Sequence, residues 1–407
     1  MTNVEVWLWI LLVMLPHNGR TPKLLAEYGS ALDAAIAMRD GKCDMLTAAE
    51  KQRVERTRTR EVKALIAECE RLGIRIVTLD DPEYPQKLKC IDDPPIVLFV
   101  KGDLRPLKDM SAVAVVGPRA PSEYSRRITG VLCDDLAKDG VGVVSGLAVG
   151  IDGEAHRCTV NSGGYTVGVL ACGHMVNYPA ENEDLKKSIV ENGGAIISEL
   201  FPYTSAKVFY FRQRNRIIAG LSEAAVIIEA SAKSGALVTA ELTGDQGKPV
   251  FCVPPHDITD DRYCGVISLL RTAALPLYDA TDIYAKLALR SKDGFDIARS
   301  DISEKPSQQK VKKPKQDSAR KKRSASDEKP MAQPTEFVEA VTAEDIDMTQ
   351  FSPEEALVVT LLQEKPLTMD EIIEKSGKRH DEVCSIVLGL ELMDAVTRCQ
   401  NGTFILA

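Results

Sequence analysis

The segment FRQRNRIIAG, residues 211–220, places three arginines within five positions, immediately before an apolar run. Guanidinium groups stay charged at neutral pH and donate several hydrogen bonds, so such a cluster is suited to binding phosphate groups. If the chain is extended as far as Arg214, the side chains of Arg212 and Arg214 project from one face. If Asn215 instead caps a helix that starts at Arg216, the N–H groups of the first turn join them. Both geometries predict an anion site.

Other roles for the polar residues of this region are structural or catalytic. Any one of the arginines could instead pair inside the protein with a carboxylate such as Glu199 or Glu229. Asp152 and His156 would share one helix face, which suits an acid–base or metal-ligand pair, but no second cluster of metal ligands accompanies them. We therefore expect His156 to be hydrogen-bonded beneath the turn that contains Ser145. Ser145 itself lies in SGLAVG, which lacks the GxSxG pattern of a serine nucleophile.

Six apolar runs of strand length, separated by helix-length segments, follow one another in the middle of the chain. Strands that are hydrophobic throughout are typical of a parallel sheet covered by helices on both faces. The pattern predicts an α/β fold with a doubly wound, Rossmann-like domain at residues 76–295, and two earlier runs, IRIVTL and PPIVLFVKG, lead into its sheet. The six runs are SAVAVVG from 111, VGVVSG from 141, YTVGVLACG from 165, GAIISE from 194, AAVIIEA from 224 and KPVFCVPP from 248.

Small and polar residues follow these runs where the chain leaves each strand. In a doubly wound sheet, ligands bind beyond the carboxyl ends of the strands. Gly117 and Arg119 follow the first run, Ser145 and Gly146 the second, and Gly173 the third. We expect these residues to form an anion site lined by backbone N–H groups. The sequence contains neither GxGxxG at the first turn nor GxxxxGK[ST], so no NAD, ATP or other cofactor is predicted.

Bulk composition restricts the class of protein. The 407-residue chain carries a net charge of −8, so any nucleic-acid site has to be a local basic patch. Its ten cysteines include no CxxC pair, which indicates reduced thiols in a cytoplasmic protein. The N-terminal run VWLWILLVMLP is too short to span a bilayer and has no basic segment before it. We therefore expect a buried helix and no membrane contact.

The composition divides the chain into four regions, of which the sheet domain is the second. Residues 1–75 have helical periodicity and predict a small helical domain. Residues 296–345 are rich in Lys, Arg, Ser and Pro, which predicts a disordered basic linker; an electrostatic tether for DNA is a further role for it. Residues 346–407 predict a separate winged-helix domain.

The winged-helix prediction rests on the order of its elements. A capping box, SPEE, begins at Ser352, and a second, TMDE, precedes a helix predicted at 368–375. Another helix is predicted at 379–392, and the dipeptide NG marks a hairpin between two short strands. The second of these helices has basic residues only at its start, so DNA contact and a protein-interaction or dimerisation role both stay open.

Six motifs, taken in order, resemble the DNA-processing protein A (DprA/Smf) family. The resemblance starts at Gly117 and implies an extended Rossmann fold that binds single-stranded DNA without catalysis. It also implies a protein that is often a dimer and that helps to load the RecA recombinase during natural transformation. The motifs are GPR at 117, SGLAVGIDGEAH at 145, GVLACGHMVNYPAEN at 168, IISE at 196, FRQRNRIIAGLS at 211 and EASAKSGALVTA at 229.

The resemblance assigns roles to individual positions. The family's arginine after the first strand corresponds to Arg119, its SG turn to Ser145 and Gly146, and its RNR segment to residues 214–216. The two terminal regions resemble the sterile-alpha-motif-like and winged-helix regions of family members. The sequence departs from the family pattern at Pro118, where a Ser or Thr hydroxyl is usual, at Ala180 in place of lysine, at Pro255 in place of glycine, and at Ile267 in place of asparagine.

These observations predict a non-catalytic protein of DNA recombination and competence that binds single-stranded DNA, protects it and passes it to RecA. Arg119, the SG turn and the arginines at 212–216 would bind the phosphate backbone, while Phe211 or Tyr178 stacks on bases. A homodimer would align two such crevices on one strand and raise the avidity. The alternatives are a nucleotide hydrolase related to phosphoribohydrolases, which SAKSGALVTAE distantly resembles, and a general DNA-maintenance adaptor.

Overall fold

The computed structural model describes residues 1–288 and 353–378, and beyond these residues 382–383, 386–387, 390, 396–398 and 403–406. The chain divides into two units, Met1–Ala298 and Arg299–Ala407. The predicted basic linker at 296–345 and the capping box predicted at Ser352 lie outside the described residues.

A buried apolar helix opens the first unit. Thr2 and Glu5 form a capping box at the start of α1, and eight of its twelve residues are buried. A helix that is apolar on all sides belongs in a core, so the predicted buried helix is confirmed. In the part of the chain that the structure describes, no helix has both the length and the apolar character needed to cross a membrane. The helices before the sheet are α1 Asn3–Met14, α2 Thr21–Tyr28, α3 Ala31–Arg39, α4 Ala48–Arg56 and α5 Thr59–Arg71.

All six apolar runs of the central region form strands, as predicted. The two earlier runs form the strands that precede them, and a ninth strand, of two residues, has no signal in the sequence pattern. The strands of this sheet are β1 Arg75–Thr78, β2 Val97–Gly102, β3 Ala112–Val116, β4 Gly142–Ser145, β5 Thr166–Val169, β6 Ala195–Ser198, β7 Ala224–Ile227, β8 Val250–Cys252 and β9 Leu275–Pro276.

The sheet is doubly wound, in the order β1-β2-β6-β5-β4-β3-β7-β8-β9. Neighbours from β6 to β9 pair in parallel; Val113 of β3, for example, pairs with Val143 of β4 and with Ala224 of β7. At one edge β2 joins β6, and β1 joins β2, in antiparallel orientation. The chain order reverses at β3, which is the switch point at which such sheets bind ligands.

Helices cover both faces of the sheet. Adjacent residues of β4 point to opposite faces, so Val144 joins a core that also contains Trp7 of α1, whereas Val143 packs with Leu132 on the other face. The N-terminal helices and the sheet therefore share one core. The remaining helices of this unit are α6 Gln86–Lys89, α7 Glu123–Lys138, α8 Ile151–Asn161, α9 Glu183–Glu191, α10 Val208–Leu221, α11 Gly235–Asp245, α12 Cys264–Thr272 and α13 Ala280–Leu287.

The second unit has its own small antiparallel sheet and its own core. Its elements are α14 Pro353–Glu364, β10 Leu367–Thr368, α15 Met369–Ser376, β11 Val396–Arg398 and β12 Thr403–Leu406, with sheet order β10-β12-β11. The capping box predicted at Thr368 is confirmed, as is the hairpin pairing of the last two strands. The helix predicted at 379–392 lies largely outside the described residues.

Candidate nucleic-acid interface

The side chains of Arg119, Phe211 and Tyr178 come together from three elements of the first unit. Arg119 follows β3, Tyr178 lies in the loop after β5, and Phe211 belongs to α10. The guanidinium carbon of Arg119 lies 5.4 Å from the centroid of the Phe211 ring, and the Phe211 and Tyr178 rings meet edge to face with centroids 5.5 Å apart. Arg119 is exposed and both rings are half-buried. A guanidinium group can bind a phosphate, and an aromatic ring beside it can stack on a base.

The helix that carries Phe211 begins earlier than expected. α10 starts at Val208, so the prediction of an extended chain as far as Arg214, or of a helix that starts at Arg216 with Asn215 as its cap, is wrong. The preceding residue, Lys207, makes no capping hydrogen bond through its side chain. The aromatic and β-branched sequence VFYF is a weak helix former in isolation, so local propensity gives no signal for a helix start at Val208.

The three arginines of α10 have different surroundings. Arg212 is exposed, whereas Arg214 and Arg216 keep only 5% and 8% of their surface accessible. Phe211 and Asn215 are half-buried on the same helix. Of the three guanidinium groups, only that of Arg212 is open to a phosphate from solvent.

Arg214 is a buried link between α10 and the sheet. Its Nη1 donates to the carbonyl oxygen of Gly146, at 2.6 Å, and to that of Val169, while its Nε donates to Asn215 Oδ1 at 3.2 Å. Burial lowers the pKa of Arg214 to about 10, against the opposing effect of the Asp152 carboxyl. A Cβ on Gly146 would lie 2.4 Å from the guanidinium group, so this position requires glycine.

The Ser145 hydroxyl and the N–H groups of Gly146 and Gly173, which were expected to face an anion, are hydrogen-bonded inside the protein. Ser145 Oγ donates to a backbone carbonyl of β3 at 2.6 Å, and the Gly146 N–H donates to Asp152 Oδ2 at 3.1 Å. The Gly173 N–H donates to the carbonyl of Thr204 at 2.8 Å. Each of these three groups is already hydrogen-bonded inside the protein, so none of them is free to bind an anion in this structure. They form the floor of the crevice.

The turns after β3 and β4 pack directly on each other. A Cβ on Gly117 would lie 2.6 Å from the Ile151 side chain, and one on Gly150, whose φ is +86°, would lie 2.3 Å from the Pro118 carbonyl oxygen. The same carbonyl accepts a hydrogen bond from the Ile151 N–H at 3.2 Å. These contacts fix the loop that presents Arg119.

His156 has the structural role that the sequence predicts. Its Nδ1 lies 2.7 Å from Thr166 Oγ1 of β5, and the Thr166 hydroxyl donates its own proton to the Val143 carbonyl, so His156 is the donor. Burial lowers the pKa of His156 to about 3, against the opposing effect of a hydrogen bond with the Ser145 backbone. Among the residues that the structure describes, no group of three or more His, Cys, Asp or Glu side chains is placed to hold a metal ion.

Arg216 forms a buried network with partners from distant parts of the chain. Its Nη2 donates to both oxygens of Glu199 at 2.8 Å, and its Nε donates to Asp93 Oδ2 at 3.1 Å. His17 Nδ1 lies 2.9 Å from Glu199 Oε2. Burial alone would raise the pKa of Glu199, but Arg216 and His17 outweigh it and lower the pKa to about 2. The ion pair with Glu199 weighed from the sequence is correct for Arg216, whereas no local pattern indicates Asp93 or His17.

Glu229 occupies the N-terminus of α7, the helix that follows β3. Its Oε2 accepts hydrogen bonds from the Ser122 N–H at 3.0 Å and from the Ser125 hydroxyl at 2.6 Å, and Glu229 is only 2% exposed. In dinucleotide-binding sheets a phosphate takes this position. Here the position is filled by a carboxylate of the protein.

These features define a class of protein in which a doubly wound α/β unit with an arginine–aromatic crevice is followed by a winged helix. The sequence matches the model of the family described as DNA recombination-mediator protein A over residues 75–288, and that of the DprA winged helix domain over residues 339–402.

Individual relatives agree with the family match. The DNA processing protein DprA of Bacillus subtilis is 34% identical over 276 residues, which are 67% of this chain and 92% of that protein. Protein Smf of Escherichia coli is 34% identical over 257 residues, 62% of this chain and 67% of Smf. The X-ray structure of DprA from Streptococcus pneumoniae superimposes with a TM-score of 0.62 and 30% identity, over 70% of this chain and 98% of that one. The chain therefore belongs to the DNA recombination-mediator protein A (DprA/Smf) family.

Proposed function

We propose that this chain binds single-stranded DNA in the crevice at the carboxyl ends of β3 to β5, protects it, and helps to load RecA on it during natural transformation or recombination. Membership of a recombination-mediator family supports a role in DNA processing. The observation that carries the proposal is the solvent-accessible array of Arg119, Phe211 and Tyr178.

Two kinds of contact are expected in this crevice. The exposed guanidinium groups of Arg119 and Arg212 bind backbone phosphates. Asn215, one turn after Arg212 on α10, already accepts a hydrogen bond from Arg214 and supports the site from within the helix. The rings of Phe211 and Tyr178 stack on bases, at about 1–3 kcal/mol per base. Because every base has a π face, recognition of this kind has little sequence preference.

The buried members of the predicted site act as its scaffold. Arg214 ties α10 to the floor that Ser145 and Gly146 form, and Arg216 ties the same helix to Glu199. Gly117 and Gly173 allow the close approach of neighbouring loops: a Cβ on Gly173 would lie 2.1 Å from the Phe201 carbonyl oxygen. In this proposal they hold the contacting side chains in place and do not bind DNA themselves.

Binding without catalysis is the function that the crevice supports best. The nucleotide hydrolase considered from the sequence would bind a nucleotide phosphate at the loops of the same crevice, and Glu229 lies beside the first of these loops. Its carboxylate accepts the Ser122 N–H and the Ser125 hydroxyl, so these two donors are not free for a phosphate. The position of Glu229 therefore disfavours a phosphate at the N-terminus of α7.

A homodimer is part of the proposal, because two crevices on one strand raise the avidity without new contacts. The hand-off to RecA is measured by RecA-dependent ATP hydrolysis on single strands coated with a single-strand-binding protein. The chain is expected to shorten the lag before hydrolysis begins. An unchanged lag would leave a general DNA-maintenance role in place of RecA loading.

Stacking can be tested separately from charge. The affinity of the wild type and of Phe211→Leu is measured by fluorescence anisotropy for labelled oligo-dT and for an abasic oligomer of equal length. The variant is expected to bind oligo-dT about tenfold more weakly, equivalent to ~1.4 kcal/mol, and to bind the abasic strand as the wild type does. Tyr278→Leu, which changes an aromatic residue that is 77% exposed and outside the array, is the matched control. An equal loss on both strands would contradict stacking.

A further inference from the structure

The helical region before the sheet reaches α10 through the turn that follows α1. In the segment LPHNGR, Leu15 and His17 both adopt φ of 63°, a left-handed conformation that is uncommon for residues other than glycine. The His17 side chain is only 4% exposed. The turn therefore directs an ionisable side chain into the interior.

His17 contacts the first turn of the helix that carries the proposed DNA contacts. Its ring centroid lies 5.6 Å from that of Tyr210 and 6.2 Å from that of Phe209. These two aromatic residues immediately precede Phe211 and Arg212. A displacement of the His17 ring would thus be transmitted to the part of α10 that faces DNA.

His17 and Arg216 hold the same buried carboxylate. Glu199, which follows β6, lies 2.9 Å from His17 Nδ1 and receives two hydrogen bonds of 2.8 Å from Arg216. Asp93 accepts a further bond from Arg216 at 3.1 Å. The helical region, the end of β6 and α10 therefore meet at one carboxylate. The ion pair of that carboxylate with Arg216 holds its geometry because either partner would be costly to leave buried alone.

We propose that His17 is a positioning residue for the DNA-binding face of α10, which gives the N-terminal helical region a role in DNA binding. His17 fixes the first turn of α10 through the rings of Phe209 and Tyr210, and the middle of the helix through Glu199 and Arg216. It thereby sets the positions of Phe211 and Arg212, which lie between these two contacts. The inference rests on the proposed function, because it requires that this face of α10 contacts DNA.

The test compares four variants of the full chain. His17→Ala removes the contact, and His17→Gln keeps an N–H donor that can reach Glu199. Trp9→Phe is the matched control within the helical region: it removes the hydrogen bond of Trp9 Nε1 to the Thr57 carbonyl, 3.2 Å long, together with part of a buried ring, and it leaves His17, Glu199 and Arg216 unchanged. Arg212→Ala removes a proposed phosphate contact. The dissociation constant for labelled oligo-dT is measured across a salt series.

A positioning residue and a phosphate ligand differ in salt dependence. His17→Ala is expected to weaken binding about tenfold, equivalent to ~1.4 kcal/mol, with an unchanged slope of log K against log salt. Arg212→Ala is expected to reduce that slope by about one unit. His17→Gln should restore most of the affinity, and Trp9→Phe should bind as the wild type does.

The outcomes separate this inference from the proposed function. Absence of wild-type binding to oligo-dT would refute the proposed function itself. If His17→Ala binds oligo-dT with wild-type affinity while Arg212→Ala binds it more weakly, the inference is refuted and the proposed function stands. Equal losses in His17→Ala and Trp9→Phe, or no recovery in His17→Gln, would also overturn it, because the effect would then be a general loosening of the helical region.

Discussion

Replacing Gly146 by alanine should separate the scaffold of the crevice from its contacting side chains. The added Cβ would lie 2.4–2.5 Å from three atoms of the Arg214 guanidinium group, closer than carbon contacts in folded proteins allow. Arg214 cannot swing aside without losing its hydrogen bonds to the carbonyls of Gly146 and Val169. The substitution therefore tests whether the buried guanidinium group is structurally required.

The expected cost follows from these two bonds. Hydrogen bonds that involve a charged group contribute about 1.5–3 kcal/mol each, and partial loss of both costs about 3–4 kcal/mol. Alanine lowers the entropy of the unfolded chain, which offsets about 0.4–1 kcal/mol. We expect Gly146→Ala to lower the free energy of unfolding by about 2–3 kcal/mol, a large part of the total of a typical domain.

Urea unfolding followed by tryptophan fluorescence measures this change. The two tryptophans of the chain, Trp7 and Trp9, both lie in α1 and in the core that α1 shares with the sheet, so the signal reports the first unit. Gly244→Ala is the matched control: this glycine lies in α11 with nothing within 4 Å of an added Cβ, and alanine should stabilise the helix by up to about 1 kcal/mol.

A double-mutant cycle supplies the decisive comparison. In an Arg214→Met background the guanidinium group is gone, so Gly146→Ala should cost less than about 1 kcal/mol and the two changes should be non-additive by about 2 kcal/mol. Additive effects, or a stability change in Gly146→Ala no worse than that of the control, would refute the reasoning.

Two further predictions concern buried ionisable groups. Glu199→Ala should destabilise the first unit by about 3–5 kcal/mol in urea unfolding, because Arg216 would stay buried without its bidentate partner; a cost below about 1 kcal/mol would show that the pair is not needed. The free energy of unfolding should also fall with acidification. Burial lowers the pKa of His156 from 6.5 to about 3 and that of His174 to about 4. As the pH falls below 6.5, these histidines therefore bind protons in the unfolded state before they do so in the folded state. Glu199, whose pKa is lowered from 4.5 to about 2, adds a loss as the pH falls from 4.5 towards 2. The free energy of unfolding measured from pH 7.5 downwards should therefore decline below about pH 6.5, and less so in His156→Gln; a flat profile between pH 6.5 and 4.5 would contradict it.

The sheet could be predicted from sequence because its strands are buried on both faces. In apolar runs such as SAVAVVG, polar and apolar residues do not alternate, because both faces of the strand are buried. Such strands are identified by the length of the run and by the residues that flank it. The strand Leu275–Pro276 has only two residues, too few for any periodicity. The antiparallel pairing of β2 with β6 could not be predicted, because strand pairing over long distances leaves no local pattern.

The residue types of the candidate site are easier to read from the sequence than their geometry. The sequence marks the three arginines of FRQRNR as one cluster, but a helix turns about 100° per residue, so Arg212 and Arg214 face nearly opposite directions. Their burial depends on partners far away in the chain: Asp93 and His17 lie more than 100 residues from Arg216. Arg119 needs no such information, since the loop after β3 lies at the switch point of the sheet.

The most direct test of single-stranded DNA binding in this crevice is the anisotropy of labelled oligo-dT with the wild type and with Arg119→Ala, across a salt series and with duplex DNA as competitor. We predict tight binding by the wild type that weakens with salt, and a loss of about tenfold, ~1.4 kcal/mol, in the variant. Arg126→Ala, an exposed arginine on α7, controls for net charge. Equal affinity of Arg119→Ala and the wild type would contradict the assignment of this crevice to DNA.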